Sequence, residues 1–364
     1  RAQGHWDAKT QPKLDGLLPL VALGTVADVV KLDDNNRRLV AQGLKRIRQG
    51  HMPPGIQALF EVSGRQAASA TANDLGFGLG PRLNAAGRLS DMRLGIACLI
   101  SAHLDEARPM AAELQAMNEA RRHIERDMKA QALKLTEPLL SQHTQAPEAL
   151  VVYDPSFHEG VIGIVASRLK DELHRPVFVF ADNESTEQGK VLKGSGRSIA
   201  GFHLRDALDW MEKRHPGLLL RFGGHAAAAG CTLAADQLAT FEAAIKQVAQ
   251  AWLDADTLQQ RLATDGPLPA EARTVQTIER LDAQVWGQGF GAPLFCDQVD
   301  ITQQRVLKDA HLSLKLLHHG WPVDAIWFNR TQHLPSPVKL AYRLGLNTWM
   351  GQQKVQFLIE AAEE

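Results

Sequence analysis

The chain has 364 residues, 45% of them hydrophobic, and its 40 Lys+Arg against 41 Asp+Glu leave a formal charge of −1. That length builds two or three cores rather than one, and the near-neutral balance excludes a global basic field, so a polyanion site must be a local patch. Three scattered cysteines (Cys98, Cys231 and Cys296) with no CxxC pair fit a reducing, cytoplasmic setting, and no apolar run approaches the roughly 20 residues of a membrane span. From its first residue the sequence reads RAQGHWDAKT, without a starting methionine or a signal-peptide pattern, and a processed or truncated product is expected.

Leu17–Val30, LLPLVALGTVADVV, reads as an almost wholly buried element interrupted by Pro19 and Gly24. Asn36–Ile47 has helical spacing, with Leu39, Val40, Leu44 and Ile47 on one side. Gly76–Leu89 reads as a mobile glycine-rich loop. From Leu104 to Leu140 the pattern is a long charged helix with a narrow apolar stripe of Leu114, Met117, His123 or Ile124, Met128 and Leu135, ending near Pro138. Such a helix bridges two bodies.

Residues 148–256 then alternate strand and helix: strands at Ala149–Tyr153 and Arg175–Ala181, helices at Val161–Leu173, Leu204–Lys213 and Ala235–Leu253. This order predicts an α/β domain with a buried sheet. Over residues 262–364 the period shortens to two, at His311–Leu316, Ala325–Asn329, Val338–Leu346 and Lys354–Ile359, which predicts a small β-barrel. The fold class is therefore α/β and multi-domain, closing on a β-barrel.

Five stretches carry chemistry. In ALGTVADVV, Asp28 is the lone charge in an apolar setting, and a metal ligand, a helix cap or an arginine partner would each explain it. In GFGLGPRLNAAGRL, Arg82, Asn84 and Arg88 stand among glycines that suit close approach of a sugar-phosphate backbone; the alternative pairs the arginines with Asp74 and Asp91. In FHEGVIGIVASRL, His158 precedes a helix entrance whose free N–H groups favour an anion, with Arg168 further along; an ordinary crossover reads the same way.

KVLKGSGRSIAGFHLR carries Lys190, Lys193, Arg197 and Arg205 with no acid inside it, and Ser195, Gly196 and Arg197 read as a compact loop suited to a terminal phosphate or as a solvated basic loop. In RFGGHAAAAG, Gly223 and Gly224 let the backbone approach a ligand, His225 offers hydrogen bonds to phosphate oxygens, and Ala226–Ala229 reads as a packed run of good helix propensity; a Gly-Gly turn is the plain alternative.

In this order, GTVADVV, GPRLNAAGRL, HEGVIGIVASRL, KGSGRS and FGGHAAAAG, the chain resembles the RecJ single-strand-specific DNA exonucleases of the DHH phosphoesterase superfamily. The resemblance runs through the whole chain. It implies the C-terminal part of a DHH domain at 1–103, a connecting helix at 104–140, a DHHA1 domain at 148–256 and an OB-fold at 262–364. It also implies 5′→3′ hydrolysis of 5′-phosphorylated single-stranded DNA with Mn²⁺ or Mg²⁺, in repair and recombination, beside single-strand-binding and helicase partners.

By position, Asp28 becomes a metal ligand, and Arg82, Asn84 and Arg88 line the strand path. Ser195, Gly196 and Arg197 hold the 5′-phosphate, His225 reaches the scissile region as the catalytic residue, and Gly223, Gly224, His158 and Arg168 are further substrate-binding matches. Asn118 and Arg121 on the long helix also match.

The departures are as informative. An aspartate-rich motif and the DHH triplet are absent from the sequence, and one carboxylate cannot hold an ion pair. A binding-competent chain, inactive alone, is expected. At Trp286–Phe295, WGQGFGAPLF, a polar family turn is replaced by Gly291-Ala292. Trp321, Trp327, Phe328, Tyr342 and Trp349 are candidate stackers for bases, Trp349 the best exposed. Two other readings remain: a DHH/DHHA1 phosphodiesterase of short oligonucleotides or cyclic dinucleotides, and a non-catalytic single-strand binder.

Overall fold

The computed structural model describes residues 11–141, 147–183, 189–349 and 352–363, so the opening RAQGHWDAKT and the side chain of Trp349 lie outside the described residues. The chain forms two compact units, one of the residues up to Pro81 with Ile96–Ala111 and Leu262–Glu364, the other of Arg82–Gly95 with Ala112–Arg261. No helix among the described residues is long and apolar enough to cross a membrane.

Helices come first among the described residues. α1 (Leu18–Ala27) takes Pro19 in its first turn, where a missing N–H has no intrahelical partner to lose, and stops where Asp28 returns its N–H to the Gly24 carbonyl at 3.0 Å. The expectation of near-complete burial at 17–30 fails: Pro19, Ala22 and Leu23 are buried, whereas Val21, Val29 and Val30 are exposed. One face of α1 is covered by α2 (Asp34–Arg48), which buries Val40, Leu44 and Ile47 as the spacing predicts, with Gly43 added and Leu39 only half-buried. Gly43 makes the approach possible, since a Cβ there would stand 2.4 Å from the Leu18 carbonyl oxygen.

After α3 (Pro54–Ser63), the stretch expected to be a mobile loop is helical: a π-helix at Asp74–Leu79 runs into α4 (Gly80–Leu89). Its glycines serve contact rather than mobility, because Cβ atoms at Gly76 and Gly80 would come within 3.1 Å of Val26 and Ala27 on α1. Next come α5 (Arg93–Ile100) and α6 (Leu104–Ser141), and α6 continues past Pro138, which removes one hydrogen bond of the last turn without ending it. Its buried positions are Ala107, Ala111, Leu114, Asn118, Met128, Ala132 and Thr136, whereas Leu135 is exposed. Small and polar residues, rather than the large apolar ones alone, define the inner face.

A five-stranded sheet follows. β1 (Leu150–Tyr153), α7 (Ile162–Leu173), β2 (Val177–Asp182), β3 (Val191–Arg197), α8 (Leu204–Arg214), β4 (Arg221–Gly224), β5 (Ala228–Ala234) and α9 (Leu238–Trp252) give the strand order β1-β2-β3-β5-β4. β1 and β2 are parallel and the remaining pairs antiparallel.

KGSGR is not a loop but strand β3, and the alanine run is not a helix but the tip and second strand of the β4–β5 hairpin. Gly194 lies opposite Phe180 and Gly196 opposite Phe178, where Cβ atoms would come within 2.4 and 2.5 Å of the rings. Those rings pack edge-on to Phe241, Phe178 at 5.1 Å and Phe180 at 5.0 Å. With the glycines turned to the aromatic face, period two sends Lys193, Ser195 and Arg197 to the other.

In the last part, α10 (Val275–Asp282) precedes β6 (Phe295–Leu307), β7 (His311–His318), β8 (Trp321–Trp327), β9 (Val338–Trp349) and β10 (Gln352–Glu363). These strands close a barrel in the order β10-β8-β7-β6-β9, with β10 parallel to β8 and antiparallel to β9. The alternating sequence thus forms the OB-type barrel it predicts, around Leu312, Leu314, Leu316, Leu340 and Phe357. Tyr342 is no base stacker: it is fully buried, lies 3.8 Å from Phe357 ring to ring, and donates to Asp297 Oδ2 at 2.7 Å. Ahead of β6 the chain turns at 286–290, with Trp286 stacked on Phe290 at 5.1 Å. Leu32 N–H donates to the Gln288 carbonyl at 2.7 Å, and the Arg37 guanidinium covers Phe290 at 3.6 Å.

Two outcomes follow for stability. Gly196→Ala drives a methyl group into the Phe178 ring and should cost about 1–3 kcal/mol in denaturant unfolding. Burial holds the His318 pKa below its ordinary value of 6.5, against an opposing pull from Asp297. The unfolded chain then binds the proton more readily, so this stability is present above about pH 6.5 and lost as pH falls toward the depressed folded value. His318→Leu should flatten that part of a pH series of unfolding midpoints.

Candidate functional site

The second unit gathers most of the predicted site residues around the start of α7. Gly160 lets the end of α4 touch the loop before α7, because a Cβ there would stand 2.2 Å from the Arg88 carbonyl oxygen. Arg88 Nη1 reaches the Gly160 carbonyl at 3.4 Å, and His158 Nδ1 accepts the Gly160 N–H at 3.0 Å. His158 therefore shapes the loop. At Gly163, in the first turn of α7, a Cβ would lie 2.9 Å from Arg197 Nη2 and 3.0 Å from Ser195 Oγ. Arg197 Nη1 donates to Ser195 Oγ at 3.0 Å and to the Gly196 carbonyl at 2.8 Å.

The electrostatics set two arginines side by side. Burial, and after it Arg121, pushes the Arg88 pKa below the ordinary arginine value while Glu125 opposes; the side chain nonetheless keeps solvent contact. Burial and then Arg88 do the same to Arg197. Among the described residues neither Arg88 nor Arg197 forms an ion pair. Two partly desolvated guanidinium groups and a hydroxyl thus stand together at the start of α7, donors of the kind that suits a phosphate group. The other cations of the basic stretch are neutralised: Lys193 by Glu159 at 2.9 Å, Lys190 by Asp182 at 2.9 Å, and Arg205 by Asp209 at 3.8 Å.

The remaining predicted residues fall at different distances from this chemistry. Arg82 is buried on α4 and Asn84 half-buried; the expected acids, Asp74 and Asp91, take Arg65 and Arg93 instead. Arg168 does not face the pocket freely, since its Nε donates to Glu125 Oε1 at 3.0 Å. Arg121 donates to Glu125 Oε2 at 2.7 Å and to Asn118 Oδ1 at 3.1 Å. Glu125 is a residue that sequence reasoning misses. Its signal is the spacing 118, 121, 125 on a helix whose inner face is read from large apolar residues.

Gly224 (φ +136°) turns the β4–β5 hairpin where a Cβ would strike the Ala228 carbonyl oxygen at 2.5 Å, whereas Gly223 faces open space. His225 is exposed at the tip, its N–H bonded to the Ala228 carbonyl oxygen at 2.8 Å. The register sets Ala228 beside Arg197, so the tip continues the edge that carries the arginine.

Asp28, in the first unit, is exposed rather than buried, which removes the argument from a desolvated carboxylate. The ligand-type cluster among the described residues lies elsewhere: Asp297, His318 and His319 in the barrel, within 4.8 Å of one another. There Asp297 already accepts the Leu268 N–H at 3.0 Å and the Tyr342 hydroxyl. On the barrel surface Trp321 and Phe328 are exposed, and Gln303, Arg305, Lys315, Asn347 and Gln356 with Asp324 line an open groove.

Comparison with known proteins agrees with this division. Residues 147–251 match the DHHA1 domain model and residues 264–361 the RecJ OB domain model, defining a DHHA1 sheet coupled in one chain to an OB barrel. Along nearly its whole length the chain is similar to RecJ proteins. It is 47% identical to the single-stranded-DNA-specific exonuclease RecJ of Dickeya dadantii, covering 96% of this chain and 62% of that protein. It is 45% identical to RecJ of Escherichia coli, covering 99% and 63%. The crystal structure of Thermus thermophilus RecJ in complex with Mg²⁺ superposes with a TM-score of 0.80 at 30% identity, covering 97% of this chain and 53% of that one. The chain thus spans a little under two thirds of the length of its curated relatives.

Gly163→Ala tests the pocket against the fold. The added methyl meets only the far end of Arg197 and the Ser195 hydroxyl, and alanine is the better helix former by about 1 kcal/mol. Thermal melting should hold or rise, while affinity for inorganic phosphate, read by calorimetry, should fall about tenfold for loss of one charge-assisted contact.

Proposed function

We propose that this chain is the DNA-holding portion of a 5′→3′ single-stranded-DNA exonuclease acting in repair and recombination, and that its second unit grips the 5′-terminal phosphate. The observation that carries the reading is the Arg88–Arg197 pair, unmatched by a carboxylate among the described residues, at the start of α7 beside Ser195. A terminal phosphate carries more charge and more free oxygens than an internal diester, and two guanidinium groups with a hydroxyl match it. Arg88 and Arg197 bind and orient that group, Ser195 fixes its rotation, and the α7 N–H groups take a remaining oxygen. His225, at the edge continued from Arg197, reaches toward the neighbouring linkage.

The barrel supports an extended strand over a cyclic dinucleotide, because a small ligand has no use for a second body with a polar groove and exposed aromatics. The domain division at 1–103, 104–140, 148–256 and 262–364 belongs to the same reading, as do single-strand-binding and helicase partners. Solved RecJ structures in complex with Mg²⁺ and with Mn²⁺ support a divalent metal in the reaction. Asp28 is the carboxylate this chain would offer such an ion. The described residues do not fit a two-ion centre, since no group of three or more ligand-type side chains among them includes Asp28.

The test is Arg197→Ala with two otherwise identical oligonucleotides. By fluorescence anisotropy the 5′-phosphorylated strand should lose about tenfold or more in affinity and the 5′-hydroxyl strand about twofold or less, from the worth of a charged hydrogen bond. Equal loss for both strands would sink the assignment.

A further inference from the structure

Four arginines converge in the second unit, and one carboxylate organises them. Glu125 bonds Arg121 through Oε2 at 2.7 Å and Arg168 through Oε1 at 3.0 Å, joining α6 to α7. The Glu125 and Arg121 side chains keep only 14% and 11% of their exposure, whereas Arg168 keeps 58%. Asn118 takes a second Arg121 nitrogen at 3.1 Å, so that guanidinium is held from two sides. Arg88 lies close enough to Arg121 and to Glu125 to feel both charges, and Arg197 close enough to feel Arg88.

We infer that Glu125 is a positioning residue for the phosphate pocket: by clamping Arg121 and Arg168 it fixes the cluster so that Arg88 and Arg197 alone are left to face the anion. The inference rests on the phosphate-pocket reading above. Like charges this close move apart unless something holds them, and an arginine freed from its carboxylate swings over several ångströms. With Glu125 in place, Arg121 is a fixed wall behind Arg88. Without it, Arg121 and Arg88 compete for the same space, and the two-guanidinium geometry that fits one phosphate is lost.

Charge alone predicts the opposite. Neutralising a carboxylate beside an anion site raises the positive potential and should tighten binding of any strand. Glu125→Gln keeps the shape of the side chain and removes its charge, so the sign of its effect separates the two accounts.

Wild-type chain, Glu125→Gln and Glu125→Ala are titrated with 5′-phosphorylated and 5′-hydroxyl forms of one oligonucleotide. Positioning predicts at least about fivefold weaker binding of the phosphorylated strand by Glu125→Gln, a larger loss for Glu125→Ala, and 5′-hydroxyl binding equal to or tighter than wild type. Retained 5′-hydroxyl binding also certifies that each variant is folded. Phosphorylated-strand affinity unchanged or improved in Glu125→Gln would overturn the positioning role while leaving the pocket standing, and so would equal losses on both strands. A wild-type chain indifferent to the 5′-phosphate would overturn the pocket reading and the inference with it.

Discussion

Repulsion between neighbouring guanidinium groups is the constraint around which the second unit is built. Arg88 and Arg197 come from helix α4 and strand β3, are both partly desolvated, and have no carboxylate of their own among the described residues. Each is therefore fixed by backbone and by shape. The Gly160 carbonyl and the contact at its missing Cβ hold the end of α4, and the Ser195 hydroxyl and Gly196 carbonyl hold Arg197. Glu125, bonded to two further arginines, is where the cluster meets a full negative charge. What remains is a surplus of positive charge in a chain whose net charge is −1.

Strand β3 illustrates how packing and chemistry share one short sequence. Gly194 and Gly196 face the Phe180 and Phe178 rings, and the intervening Ser195, with Arg197, faces α7. Glycine in mid-strand ordinarily weakens a sheet. Here it admits two aromatic rings whose burial offsets that loss, and the aromatic layer in turn fixes which face the polar residues occupy. The placement of Ser195 and Arg197 is thus set by the opposite side of the sheet.

Much of this is legible in the sequence. The motif order carries the family, the period-two pattern carries the barrel, and Ser195, Arg197 and Arg88 stand out by residue type alone. Legibility fails where glycine has two meanings. Gly76, Gly80, Gly194 and Gly196 read as loop formers, but each instead makes room for a neighbour, and no local pattern distinguishes the cases. Likewise the alanines after His225 read as helix, because hairpin pairing with β3 is a long-range property. Asp28 looks buried from the apolar residues around it, and only the covered face of α1 reveals that it is not. Glu125 is missed for the converse reason, a polar residue on an inner face.

The clasp between residues 32–37 and 286–290 has a consequence for how the molecule is made. Leu32 donates to the Gln288 carbonyl and Arg37 covers Phe290. Neither contact can form until the intervening chain, which includes the whole α/β sheet, has left the ribosome; every strand of that sheet lies between residues 150 and 234. At about 5–20 residues per second of synthesis, the early helices wait on the order of tens of seconds for their partner segment, a long exposure for apolar surface. The sheet can therefore be complete while residues 32–37 still lack their contact with 286–290.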